Sequence, residues 1–201
     1  MDKVLKSISF IFHPLLMPIF GVIFYFSKSP RYIPIEVIYA KLVSLFILTV
    51  ILPILLYFLL KTIGKANSIY LKSTKERIIP LMLNFAVTLV IIKQILTPSQ
   101  VVELYFFFVG ILVSTLACLI LAILKFKASI HMIAVSGLLM FFIALSIHFS
   151  ININGTLAFM AIIIGAVATS RLHLKAHNYK ELAIGFFLGV IPQLILVNYW
   201  L

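Results

Sequence analysis

The sequence predicts an all-α protein, a polytopic membrane bundle of six to seven transmembrane helices. Three observations carry this. Of its 201 residues 64% are apolar and 10% charged, and the mean hydropathy is +1.24; soluble domains average about 45–50% apolar and about 25% charged. The apolar residues fall in continuous runs of about 20, the length a helix needs to cross a hydrocarbon core of roughly 30 Å. Those runs do not alternate over about 10 residues, as barrel strands do. The chain therefore reads as one integral membrane domain, residues 1–201, with no soluble domain, low-complexity tract or internal repeat.

The elements follow in order. Lys3 and Lys6 precede an apolar run that mimics a signal sequence, but His13, Pro14 and Pro18 interrupt it and no small-x-small cleavage site follows. It reads as a first span, about 8–26, kinked or broken at the prolines. A polar connection with Pro30 and Pro34 leads to a second span, about 37–60, which contains Pro53. Residues 61–77 are the longest polar stretch. Span three is about 78–96 and span four about 101–124, with a tight link at 97–100. A short basic turn, 125–129, opens span five, about 130–149. Asn152, Asn154 and Gly155 mark the next turn. Span six is about 156–169 and span seven about 182–199, with a polar segment between them. In span seven, Gly185 and Gly189 permit close helix packing without implying a dimer. Cys118, the only cysteine, can make no intrachain disulfide.

The net charge of +11 does not indicate a nucleic-acid partner, because the basic residues sit in short loops between apolar runs. They suit membrane topology, anionic headgroups or a phosphate-bearing substrate. Three polar clusters stand at span ends. One is Lys72-S-T-K-E-R77, the second Lys125-F-K-A-S-I-H131, and the third Ser170-R-L-H-L-K-A-H-N-Y-K-E181. Two spans separate each cluster from the next, so all three return to one membrane face and can converge on one site. Ionisable groups close to hydrocarbon are costly and point to function.

The pattern resembles the type 2 phosphatidic acid phosphatase superfamily, which includes lipid phosphate phosphatases and vanadium haloperoxidases. Its three motifs are K-x6-R-P, P-S-G-H and S-R-x5-H-x3-D. Ser170-Arg171-x5-His177-x3-Glu181 is similar to the third, with Glu for Asp. Ala128-Ser129-Ile130-His131 is similar to the second, keeping Ser and His but losing Gly. Lys72-x4-Arg77 resembles a compressed first motif, with Pro80 two residues late. The motifs lie within residues 72–181, and the resemblance covers roughly residues 72–201.

The resemblance implies a lipid phosphatase that works without metal or other cofactor; no zinc-type ligand spacing is present. His177 would be the nucleophile and Glu181 its hydrogen-bonding partner. If the last helix already includes His177, the two share one helix face. His131 would be the general acid. Arg171 and Arg77 would grip the phosphate oxygens, with Lys72 or Lys75, Ser129 and Ser170 assisting. The substrate would be a lipid phosphate monoester or diphosphate drawn from the surrounding membrane lipids. The alternative, prompted by the altered motifs, is a catalytically inactive lipid-binding protein or transporter on the same scaffold. A third reading is a membrane subunit whose basic face docks an acidic partner.

Ordinary roles account for several other residues. Lys61, Lys65, Lys125, Lys127 and Lys180 read as topology or lipid contacts, His173 as accessory or exposed, and His148 as structural on the other face. His13-Pro14 is unusual at its depth and can cap a broken first helix near the site. Of the 16 Lys and Arg, only Lys28, Arg31, Lys41 and Lys93 fall toward the far face. Twelve remain on the site face, or eight after Lys72, Lys75, Arg77 and Arg171 are set aside. The positive-inside rule then places the site in the cytoplasm. Many Ile and an excess of Lys over Arg suit an AT-rich bacterial genome, and the chain is expected in the bacterial inner membrane. Composition does not fix the oligomeric state.

Overall fold

The computed structural model describes residues 2–64 and 73–201. The regular elements among them are all helices. They are α1 (Asp2–Ile11), α2 (Met17–Lys28), α3 (Ile35–Phe46), a π turn (Ile47–Ile51), α4 (Leu52–Thr62), α5 (Thr74–Gln94), α6 (Pro98–Ile123), α7 (Ile130–His148), α8 (Asn154–His173) and α9 (Tyr179–Val197). Among the described residues, five stretches are long and apolar enough to cross a membrane: Ile35–Thr62, α6, α7, α8 and α9. The protein is an integral membrane helix bundle. α2 is apolar but has only 12 residues. α5 has 21 residues but carries Lys75, Glu76 and Arg77 in its first turn and Lys93 in its last.

Both nevertheless run through the bundle. Ser9 of α1 meets Ser170 in the last turn of α8, whereas Tyr25 near the end of α2 meets Glu103 near the start of α6. α1 and α2 together therefore join the two ends. Arg77 meets Ala128 at one end of α5, and Lys41 meets the Ile95 carbonyl beyond the other. α7 lies centrally, against α9, α8, α2 and α6. Its Phe141 and Phe142 stack on Phe107 and Phe24, with ring centroids 4.2 and 3.9 Å apart.

Prolines explain the irregularities. Pro14 disfavours a helical His13, so α1 stops at Ile11 and the chain restarts at Met17. Pro18 falls in the first turn of α2, where a missing N–H costs nothing. The expected first span is thus two helices with a break between them. Pro53 cannot donate to the Thr49 carbonyl; the π turn just before it shifts the hydrogen-bond register, with Leu52 N–H reaching the Ile47 carbonyl. Pro192 inside α9 likewise deprives the Leu188 carbonyl of its donor, and Ser114 of α6 supplies a hydroxyl at 2.8 Å.

The far end is held by Glu103, which is fully buried. Its carboxylate accepts from Tyr25 Oη at 3.0 Å, from Arg31 at 2.7 Å and from His148 Nε2 at 3.1 Å. A charge this deep is tolerated only with such partners.

At the site end α9 lies tightly against α7. A Cβ added to Gly185 would stand 2.7 Å from the Ser129 carbonyl oxygen, and one on Gly189 would be 2.8 Å from Gly137 N. Both approaches are to backbone, which cannot swing aside. Gly185→Ala or Gly189→Ala should each destabilise the protein by about 1–3 kcal/mol, measured as a lower midpoint of thermal unfolding in detergent. Gly165→Ala, where an added Cβ meets nothing within 4 Å, should not lower it.

Candidate active site

Two helix ends and one helix start build the site. α6 and α8 both end with a lysine in the left-handed region, Lys125 at φ 63° and Lys175 at φ 49°. After each, a backbone N–H reaches back five residues: Phe126 to the Leu121 carbonyl at 2.8 Å and Ala176 to the Arg171 carbonyl at 3.0 Å. Glycine is the usual residue at such caps. The lysines leave these ends unmarked in the sequence, which explains why α8 runs four residues past the expected 169. Ser170 and Arg171 therefore lie on the last turn of α8.

α9 begins with a capping box. Asn178 is the N-cap, its Oδ1 accepting the Glu181 N–H at 2.9 Å, and Glu181 reaches back to the Asn178 N–H at 3.4 Å. His177 precedes the cap and is not helical, so the condition for its sharing a helix face with Glu181 is not met. The pair still forms: His177 Nδ1 lies 2.6 Å from Glu181 Oε2. Glutamate at the third helical position has the reach that a capping box requires, and the same carboxylate takes the imidazole.

A carboxylate only accepts, so Nδ1 carries the proton and Nε2 the lone pair. Burial pushes the His177 imidazole down to about 4; the hydrogen bond to Glu181 opposes that shift, and nearby Arg77 adds to it. The ring is neutral at pH 7.

The turn between α6 and α7 ties the three clusters together. Arg77 donates to the Ala128 carbonyl at 2.9 Å. Ser129 N–H donates to the Glu181 carbonyl at 3.1 Å. Lys127 Nζ donates to the Ala176 carbonyl at 2.9 Å, and burial, followed by Arg77, lowers its pKa. Arg77, Arg171 and Glu181 are all near enough to act electrostatically on Lys127. Arg171, His13 and His177 act likewise on His131. A cleft of about 380 Å³ opens here, lined by Lys127, Leu172, Lys175, Ala176, His177, Asn178 and Glu181. A second groove of similar size, about 390 Å³ around Lys41, lies at the opposite end and has none of these groups.

Several expected ligands are placed otherwise. Ser170 is fully buried; its hydroxyl donates to the Leu5 carbonyl at 2.6 Å, because α1 docks on that turn. Ser129 caps α7, its Oγ accepting the Met132 N–H at 3.5 Å. Lys75 is exposed, and two residues from Arg77 it faces away around the helix. Lys72 lies outside the described residues, as does Lys65. In contrast, Lys127, read as a topology residue, belongs to the cluster. His13 stands edge-on to His131 with ring centroids 5.5 Å apart. Ser9 and Leu5 of α1 had no sequence signal, whereas Asn178-x2-Glu181 carries a legible capping signature. Compared with protein-family profiles, curated proteins and solved structures, the chain matches none.

NMR titration of ring-labelled histidine should show His177 titrating near 4. Glu181→Gln removes the group that raises its pKa, so the midpoint should fall further. A midpoint near the ordinary value of about 6.5 would mean that the imidazole is not buried as described.

Proposed function

We propose that the protein is a lipid phosphatase of the phosphatidic acid phosphatase type, hydrolysing a phosphate monoester or diphosphate of a membrane lipid. One observation carries this reading: His177 is buried, neutral and held through Nδ1 on Glu181, with Arg77 close by. That is the arrangement of an activated nitrogen nucleophile. A merely interfacial histidine needs no carboxylate to fix its tautomer.

The proposed reaction has two steps. His177 Nε2 attacks phosphorus, the bond to the lipid oxygen breaks, and His131, acting as the imidazolium, protonates the departing alkoxide and becomes neutral. Water then attacks the phosphohistidine, giving its proton to His131, and the P–N bond breaks to restore His177 and release phosphate. Glu181 positions His177 and stabilises the cation that forms during attack. Arg171, Arg77 and Lys127 supply positive charge to the phosphoryl oxygens. The low polar content, 10% charged residues, favours a substrate arriving sideways from the bilayer, such as phosphatidic acid, phosphatidylglycerol phosphate, a polyprenyl (di)phosphate or a lipid A phosphate. The excess of Lys and Arg at this end supports a cytoplasmic site in a bacterial inner membrane.

Phosphate release by purified protein should be measured on a panel of lipid phosphates with EDTA present. Wild type should release phosphate, and His177→Ala should lose roughly 10³-fold or more. Equal release by both would overturn the nucleophile. Binding without release by the wild type would leave a lipid-binding protein. The acid limb of kcat/KM should lie toward pH 4, following His177, well below an ordinary histidine. In Glu181→Gln that limb should move lower still, while kcat falls roughly 10²–10⁴-fold. A purely structural Glu181 would leave the limb where it was.

A further inference from the structure

α1 crosses the site rather than merely bordering it. Ser9 is 8% exposed and presents two oxygens to the groups assigned to phosphate. Its Oγ accepts from Arg171 Nη1 at 3.2 Å. Its carbonyl oxygen lies 3.2 Å from His131 Nε2, and since a carbonyl only accepts, that nitrogen carries the proton. The hydroxyl proton of Ser9 goes to Ser170 Oγ at 2.6 Å, because Ser170 uses its own on Leu5. One neutral residue thus receives a guanidinium and an imidazole N–H, the two donors that a phosphoryl group and its leaving oxygen require.

We infer that α1 is a gate over this site, with Ser9 as a neutral placeholder that a phosphate displaces. The inference rests on the phosphatase reading and adds regulation of the same site. Three features fit. α1 has 10 residues, too few to be a stable helix alone, so docking on α8 sustains it. The break at His13-Pro14 supplies a hinge, and the His13 ring rests on His131 itself. Val4, Phe10 and Ile11 are 53–78% exposed, so the outer side of α1 already suits lipid and can accept the displaced helix. Energetically, Ser9 gives Arg171 a neutral acceptor. A phosphate offers charged oxygens, which bind a guanidinium about twice as strongly, and so wins the exchange.

The test uses orthovanadate, a phosphate mimic, on the full-length protein. Calorimetry should show wild type binding it and Ser9→Ala binding about tenfold tighter, because two hydrogen bonds that hold the closed state are gone. In parallel, spin labels on Lys3→Cys and Lys180→Cys, in a Cys118→Ser background, report the distance from α1 to α9. Saturating orthovanadate should lengthen or broaden it. Equal affinity in wild type and Ser9→Ala, or an unchanged distance at saturation, overturns the gate and leaves the phosphate site standing. No binding by either protein removes the phosphate site and the gate with it.

Discussion

The structure depends on one constraint: backbone polar groups next to the hydrocarbon find partners within the protein. The turn from Lys125 to Ser129 shows how this organises the site. Its carbonyl at Ala128 takes Arg77 from α5, its Ser129 N–H goes to the start of α9, and its Lys127 ammonium reaches the end of α8. Three distant parts of the chain are drawn to one place because each holds a group that the others need. The convergence of charge follows from this satisfaction of backbone.

Glu181 does two jobs with one carboxylate. It closes the capping box that starts α9, and it orients His177. The helix N-terminus also favours negative charge there, so the group that fixes the imidazole is itself fixed. Gly185, one turn on, lets that helix start lie against the Ser129 backbone. Preorganisation of the histidine is therefore a property of how α9 begins and packs.

The two ends of the bundle use charge differently. At the far end Glu103 is saturated by Tyr25, Arg31 and His148, and the arrangement locks α2, α6 and α7 together. At the site end Arg77, Arg171 and Lys127 stand near the Glu181 carboxylate, and Lys127, Lys175 and Glu181 line the cleft. Ser9 moderates that end by giving Arg171 and His131 neutral oxygens to hold.

The sequence by itself determined the helical membrane class, the course of most helices and the pairing of His177 with Glu181. Apolar run length and residue spacing are local properties, and hydrocarbon enforces them strictly. It also put the three clusters on one face, by parity of crossings alone. Helix ends capped by Lys125 and Lys175 were illegible, because a lysine in the left-handed region looks like any other lysine. Only the tertiary structure decided which hydroxyls face the site. Ser129 and Ser170 fit the motif spacing, yet one caps α7 and the other is taken by α1. Lys127 read as a loop cation until its ammonium met the end of α8. Ser9 had no signal, since its role comes from α1 folding back on a helix more than 150 positions away. Spacing along the chain cannot encode a contact between segments that only packing brings together.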